Sequence, residues 1–273
     1  MQRILGSLIG QIPGGRLTLT SGTPVTTADV TAAGTLYYTP YQNDVAYLYD
    51  GSTWNPTQFA ETSLSMSGWT AGLPYDVFSY SNAGVLTLEG LAWASASARA
   101  TTIAYQNGRL VKSGAPTRLL VGSVCPSATG QSESSVLRQL IWNNYNRVLR
   151  PVKKYESTAT WSMTSSTWRQ ANAAVANKVE VMIGVADTLI SLCLSQMQIG
   201  GEAFGGIGVD STTPTNSHTY LYGGMGYSFL SSVLAAGYHA LNMCERGISA
   251  AAVTFYGAYS GVNMTGLEGW VMQ

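Results

Sequence analysis

The chain has 273 residues, with 14 basic and 14 acidic side chains that leave a formal net charge of zero. Charged residues make up only 10% of it, against roughly a quarter in an ordinary soluble domain, yet 45% of residues are hydrophobic, which is enough for a core and excludes disorder. A surface wetted by neutral groups has few long charged side chains to desolvate, so the composition points to a compact, β-rich protein built to pack against copies of itself or a larger assembly.

The N-terminus reads MQRILGSLIGQIPGGR, an apolar run already broken at Gly6 and Gly10. It is too short and interrupted for a signal peptide or a membrane span, and no other stretch reaches eighteen apolar residues, so membrane insertion is not expected. Residues 16–60 read as a small β-meander: Thr-rich LTLTSGTPVTTADV, the strands TLYY and VAYLY, and the turn signal Asp50-Gly51. Along VAYLY, Val45, Tyr47 and Tyr49 share one face and Ala46 and Leu48 the other. Residues 1–60 are therefore expected to form an N-terminal β module. Its aromatic cluster, Tyr37, Tyr38, Tyr41, Tyr47, Tyr49 and Trp54, is a candidate contact surface for stacking sugars, although such residues equally suit a subunit interface or a core.

From residue 61 onward, short apolar runs recur between turn signals: LPYDVFSYS, VLTLEGLAWA, TTIAYQNGRLVKSG, TRLLVGSVC, then KVEVMIGV, TLISLCLSQMQI, EAFGGIGVD, YHALNMCE, AAVTFYGAY and LEGWVMQ. Asn107-Gly108 is the clearest hairpin signal. This spacing predicts an antiparallel, jelly-roll-like β-sandwich over 61–273 rather than a βα alternation. One segment departs from it: in SESSVLRQLIWNNYNRVLRPV, Val136, Leu137, Leu140, Ile141, Tyr145 and Val148 recur at three-to-four spacing and Pro151 ends the run, which predicts an embedded amphipathic helix. A second helical turn is expected at TWRQANAAVAN.

Charge is segregated along the chain. Residues 99–178 hold eleven Arg and Lys against Glu133 and Glu156 alone, while the two flanks are acidic. Arg138, Arg147, Arg150, Lys153 and Lys154 form a candidate electrostatic interface, expected to pair with the acidic outer thirds of the same chain or of a neighbouring subunit. Binding of a polyanion such as nucleic acid or lipopolysaccharide is the alternative, with nucleic acid not the expected partner.

Catalytic motifs are sparse. GGIGVD at Gly205–Asp210 matches one copy of a calcium-binding β-roll repeat, which needs stacked copies, so a strand running into a loop is expected. No nucleophile elbow, phosphate loop or zinc spacing occurs, His218 and His239 are isolated, and no metal or cofactor is expected. A glycosidase pair needs only two carboxylates, for which Asp187, Glu202 and Asp210 near strand ends are candidates, with turn and loop roles the plainer expectation. Cys125, Cys193 and Cys244 are odd in number, far apart and in apolar surroundings, so buried free thiols are expected.

Several words of the sequence, taken together, resemble small virion surface proteins of tailed bacteriophages: GRLTLTSGTPVTTADVTAAGTLYYTPY followed by LYDGSTW, then YQNGRLVKSG, LIWNNYNRV, TWRQAN and the terminal GLEGW. The residues before Gly15 depart from the short start of that group. The resemblance implies a non-enzymatic component of the particle surface, of the head-decoration, head-fibre or tail-appendage kind. It implies a homotrimer contacting the major capsid protein or tail proteins, assembled in the host cytoplasm and displayed on the virion, with the N-terminal module as the docking end. A tail fibre or tail-tip protein recognising a host receptor or surface glycan is the alternative, and a polysaccharide-degrading tail enzyme a third. The group transfers no functional residue.

Overall fold

A computed structural model describes residues 12–214, 217–249 and 251–273, so the reading of residues 1–11 as neither signal peptide nor membrane span lies outside them. The described chain is built almost wholly of β-strands and contains no helix long and apolar enough to cross a membrane. Short strands open it: β1 (Gly15–Thr18), β2 (Val30–Ala33), β3 (Thr35–Pro40), β4 (Val45–Tyr49), β5 (Trp54–Gln58) and β6 (Thr62–Ser65). β1, β3 and β6 make a three-stranded sheet, and β4 and β5 a hairpin closed over Asp50-Gly51, whose Asp50 carboxylate accepts from the Ser52 and Thr53 amides at 2.7 and 2.8 Å.

The next strands are β7 (Tyr75–Asn82), β8 (Val85–Ala92), β9 (Ile103–Gln106), β10 (Arg109–Lys112) and β11 (Ala115–Val124). They form a sheet in the order β8-β7-β11-β10-β9. The turn between β9 and β10 carries Asn107 and Gly108 at φ of 51° and 80°, the left-handed pair that a tight hairpin requires and that these two residue types reach most easily.

The predicted embedded helix is absent. Its segment instead forms β12 (Ser132–Ser134), β13 (Arg138–Gln139), β14 (Ile141–Asn143) and β15 (Leu149–Tyr155). The reason lies in which cores its apolar residues reach: Leu140 and Trp142 enter one core, while Ile141 between them enters another. Neighbours pointing in opposite directions fit a strand between two cores and not a one-faced helix. A tight Ser135–Arg138 turn, with amide-to-carbonyl bonds of 2.9 and 3.2 Å in both directions, and the left-handed φ of 56° at Asn146 break the segment further. The second expected helical turn is a single 3-10 turn at Ala171–Ala173, after β16 (Thr160–Met163) and β17 (Arg169–Gln170).

The remaining strands are β18 (Lys178–Ile183), β19 (Leu189–Val209), β20 (His218–Val233), β21 (Gly237–Gly247), β22 (Val253–Tyr256), β23 (Ala258–Tyr259), β24 (Val262–Asn263) and β25 (Gly266–Met272). Most join one twelve-stranded sheet. Its axis is the 21-residue β19, which carries β20 along one edge and β25, β22 and β21 in succession along the other. All its strand pairs are antiparallel except β13 with β18.

Residues 61–273 therefore do not form a single jelly-roll sandwich. Three cores replace one. The first joins Leu17, Leu36 and Leu48 to Val77 and Leu119, and β3 pairs with β6 across residue 60, so packing is continuous over that point. The largest gathers β18, β19, β21 and β25 around Val181, Leu192, Leu241 and Phe255. A central core of Phe78, Trp93, Leu120, Leu140, Trp142 and Met182 stitches the two together. The stitching follows from strand alternation: Val77, Leu119 and Ile141 face the first core, and their successors Phe78, Leu120 and Trp142 face the central one.

Candidate functional site

β19 alternates strictly from Leu189 to Gln198, so Ile190, Leu192 and Leu194 enter the core while Leu189, Ser191, Cys193, Ser195 and Met197 face outward. On β20 the matching outward positions are Val233, Ser231, Phe229, Tyr227 and Met225. Between Gln198 and Glu202 the register shifts, and beyond it Tyr222, Tyr220 and Phe204 continue the same side. Phe229 is 68% exposed and Tyr222 74%. Among the described residues β20 pairs with β19 alone, leaving its other edge without a strand.

Where β15 and β25 extend this face, two cross-strand rows define a groove. One runs Pro151, Trp270, Ser191, Ser231 and the next Lys153, Glu268, Cys193, Phe229. Trp270, 53% exposed, and Phe229 rise on either side of the small Ser191 and Cys193, and the groove between them measures about 520 Å³. Its polar end is held by Glu268, whose Oε2 accepts from the Tyr155 hydroxyl at 2.9 Å, while the Lys153 ammonium lies 5.7 Å from the Tyr155 ring centre. That hydrogen bond, with burial and the Glu268 charge behind it, raises the Tyr155 pKa. Burial and then the same carboxylate raise that of Cys193, so its thiol stays protonated and only weakly nucleophilic at neutral pH. Cys125, Cys193 and Cys244 are all free, but Cys193 is half-buried on this face rather than enclosed.

At the far end of the ribbon, Phe204 packs edge-on against Tyr220 at 5.7 Å, and Tyr220 lies parallel to Tyr222 at 6.5 Å. The Arg246 guanidinium sits 4.7 Å from the Phe204 ring and 5.2 Å from Trp168. The Tyr220 hydroxyl donates to Glu202. The outcome is a largely aromatic stripe along a sheet edge that no described strand covers, with Lys153 and Glu268 level with Phe229 and Glu202 opposite Tyr222.

The sequence-derived aromatic cluster is divided differently. Tyr38, 1% exposed, stacks on Phe59 at 5.2 Å inside the first core, and Tyr49 is also buried, 5.1 Å from Trp54. Tyr47 and Trp54 enclose Arg109, each 4.8 Å from its guanidinium carbon. Tyr37 is half-buried, and only Tyr41 of the six is classed as exposed. The basic cluster is dispersed as well. Arg138 pairs with Glu133 and Glu180, and Arg147 makes a bidentate pair with Asp187, both bonds 2.8 Å. Arg150 turns inward to the Thr26 carbonyl at 2.7 Å. Lys153 borders the groove, and Lys154 lies opposite Leu267 of β25.

The three acids considered for glycoside chemistry have separate partners. Asp187 holds Arg147, Glu202 accepts from Tyr220, and Asp210 accepts from His239 Nδ1 at 2.7 Å and the Ala240 amide at 2.8 Å. The described residues contain no cluster of three His, Cys, Asp or Glu able to hold a metal ion. The stripe itself escaped sequence reading because Gly223-Gly224 interrupts the alternation of Tyr220, Tyr222, Met225, Tyr227 and Phe229; the five large side chains in ten residues were its signal.

No known protein family and no curated protein matches this chain. Among solved structures, an insecticidal delta-endotoxin, Cry8Ea1, from Bacillus thuringiensis aligns over 96% of this chain and 52% of that one, at 6% identity and a TM-score of 0.28. A tryptic-core variant of Bacillus thuringiensis Cry1Da aligns over 87% and 48%, at 8% identity and a TM-score of 0.25. An exo-β-1,3-galactanase from Phanerochaete chrysosporium aligns over 97% and 57%, at 9% identity and a TM-score of 0.18. The chain thus spans about half the length of the solved chains it aligns with, and at these TM-scores the alignments assign neither fold nor activity.

Proposed function

We propose that this chain is a non-enzymatic structural protein of a tailed-phage particle, of the head-decoration or head-fibre type, that assembles as a homotrimer through the outward face of β19 and β20. The observation that carries the reading is that uncovered face. Sixteen residues of β20 beside β19, widened by β25 and β15, present on the order of 700 Å² at usual strand spacings, close to the roughly 800 Å² each partner contributes to a stable interface. A free, flat, aromatic edge of this length invites uncontrolled pairing unless an ordered partner covers it. The scarcity of charge keeps the desolvation cost of covering it low. Three-fold association and placement on a phage rest on the sequence resemblance.

In this reading the N-terminal strands face the particle, on the major capsid protein or a tail protein. Because Leu17, Leu36 and Leu48 fill the first core, their role is better probed by surface substitutions than by deleting residues 1–60. Quantitative mass spectrometry of particles made from the encoding genome should find tens to hundreds of copies per virion. Absence from purified particles would overturn the proposal.

One observation favours a second reading, a tail protein that binds a host-surface glycan: the groove between Trp270 and Phe229, with Lys153 and Glu268 at one end, offers rings for a sugar face and charges for its hydroxyls. That protein would occur in few copies per virion, and Trp270→Ala would reduce adsorption to cells.

A further inference from the structure

Beyond the register shift in β19, side chains from neighbouring strands line up in one row on the same side of the sheet. Phe204 of β19 stands opposite Tyr220 of β20 on one flank and Arg246 of β21 on the other. Trp168, the residue before β17, falls opposite Arg246 by the register that pairs Arg169 with Glu245. The rings of Trp168 and Phe204 are 6.3 Å apart, and the Arg246 guanidinium carbon lies 5.2 Å from the first and 4.7 Å from the second. His218 stands edge-on to both rings, at 6.1 and 5.8 Å. At usual strand spacing the row is about 14 Å long, enough for a short oligosaccharide to lie across it.

Arg246 is held by rings alone. Among the described residues its side chain makes neither an ion pair nor a hydrogen bond, and its Nε is enclosed without an acceptor. The side chain is half-buried, so the rings fix the direction in which the guanidinium fork presents its remaining donors. Few other charges surround it. Arg169 and the fully enclosed Glu245 neutralise each other across 2.8 Å. Glu202, exposed two residues before Phe204 and on the same side, accepts from the Tyr220 hydroxyl and keeps further lone pairs for another donor. The row therefore carries one positive and one negative group beside aromatic faces, of which Tyr220 is 47% exposed.

That combination discriminates among ligands. A nucleic-acid strand calls for a track of several cations along its phosphates, whereas here one guanidinium is balanced by one carboxylate. An apolar partner would strip water from both charges and return no hydrogen bond. A sugar supplies both needs, because its C–H face packs on an aromatic ring and its hydroxyls donate as well as accept. We propose that this row is a binding site for an uncharged oligosaccharide, whose apolar face lies on Phe204 and Tyr220 and whose hydroxyls are shared between the Arg246 donors and the Glu202 acceptor. The site is separate from the groove at Trp270 and Phe229. It depends neither on the trimer nor on which particle carries the chain.

Titration calorimetry of the intact protein with maltotetraose, cellotetraose, mannotetraose and N-acetylchitotetraose tests the site. At least one of these should bind at millimolar concentration, and Arg246→Met should weaken that binding by about tenfold or more, as loss of a charged donor does. Tyr220→Ala should weaken it as well, while removal of the exposed Tyr105 ring on β9 by Tyr105→Ala should leave it unchanged. No binding of any of the four sugars by the unaltered chain overturns the proposal, and that result stands even if a variant does not fold. Sugar binding that survives both Arg246→Met and Tyr220→Ala overturns it too. So does a preference for oligothymidylate over all four sugars, which would make the row a nucleic-acid contact, or a fall in light-scattering mass on Arg246→Met, which would make it a contact between copies. Copy number per virion, which tests the structural reading, is unaffected by any of these results.

Discussion

Glu245 is the most deeply enclosed carboxylate of the structure's polar contacts, at 0% exposure. Its oxygens accept from Trp161 Nε1 at 2.9 and 3.0 Å, from Arg169 Nε at 2.9 Å and from the Asn172 amide at 3.1 Å. Those donors favour the anion, but burial outweighs them and raises the pKa to about 6, from 4.5. The native state therefore binds this proton more tightly than the unfolded chain does. The resulting stability is fully present below about pH 4.5 and is lost as pH rises through 6, a loss of about 2 kcal/mol. Urea unfolding from pH 4.5 to 7.5 should show that decline, and Glu245→Gln, which does not titrate, should flatten it. Equal slopes in the two proteins would contradict the assignment. His239 acts the same way: both ring nitrogens face acceptors, Asp210 Oδ2 at 2.7 Å and the Ala235 carbonyl at 2.9 Å. Burial opposes protonation, but these acceptors together raise the pKa, so its contribution is complete below the ordinary histidine value and fades as pH climbs through the raised one. Sequence revealed neither arrangement, because the partners other than the Ala235 carbonyl lie 29 or more residues away.

At the scale of elements, legibility depended on whether local chemistry or tertiary packing decides. Asn107-Gly108 and Asp50-Gly51 marked real turns because turn geometry is set by the residues themselves. The alternation of VAYLY and TLISLCLSQMQ likewise became β4 and the first half of β19. The segment around Leu140 failed because a three-to-four spacing cannot distinguish one buried face from two opposed ones. Only the assembled molecule shows that Ile141 and Trp142 belong to different cores. Trp142 is the test of that stitching. Its indole donates to Thr188 Oγ1 at 2.9 Å, and a Cβ placed on Gly184 would lie 2.0 Å from its ring. Gly184→Ala should therefore cost about 1–3 kcal/mol by overpacking, and Trp142→Ala about 3–5 kcal/mol by leaving a cavity, both read as lower denaturation midpoints. Near-unchanged midpoints would mean that the two larger cores stand without the central one.

For the whole molecule, composition raised the expectation of a partner but did not point to the face that we propose meets it. The six aromatic residues chosen from the N-terminal third lie largely within or against the first core, whereas the exposed stripe is carried by β20, where paired glycines hid the strand. The charge asymmetry was legible, and much of it is resolved within the chain, as in Arg138 with Glu180 and Arg147 with Asp187. What remains open to a partner is apolar and aromatic. Tyr227→Ser with Phe229→Ser is therefore the decisive variant, since both side chains point outward and their loss leaves the cores intact. Light scattering of dilute protein at neutral pH measures the mass directly. The account predicts a trimer for the unaltered chain and a folded monomer, with the same circular dichroism, for the double variant; an unaltered chain that is monomeric, or a variant that still assembles, would contradict it.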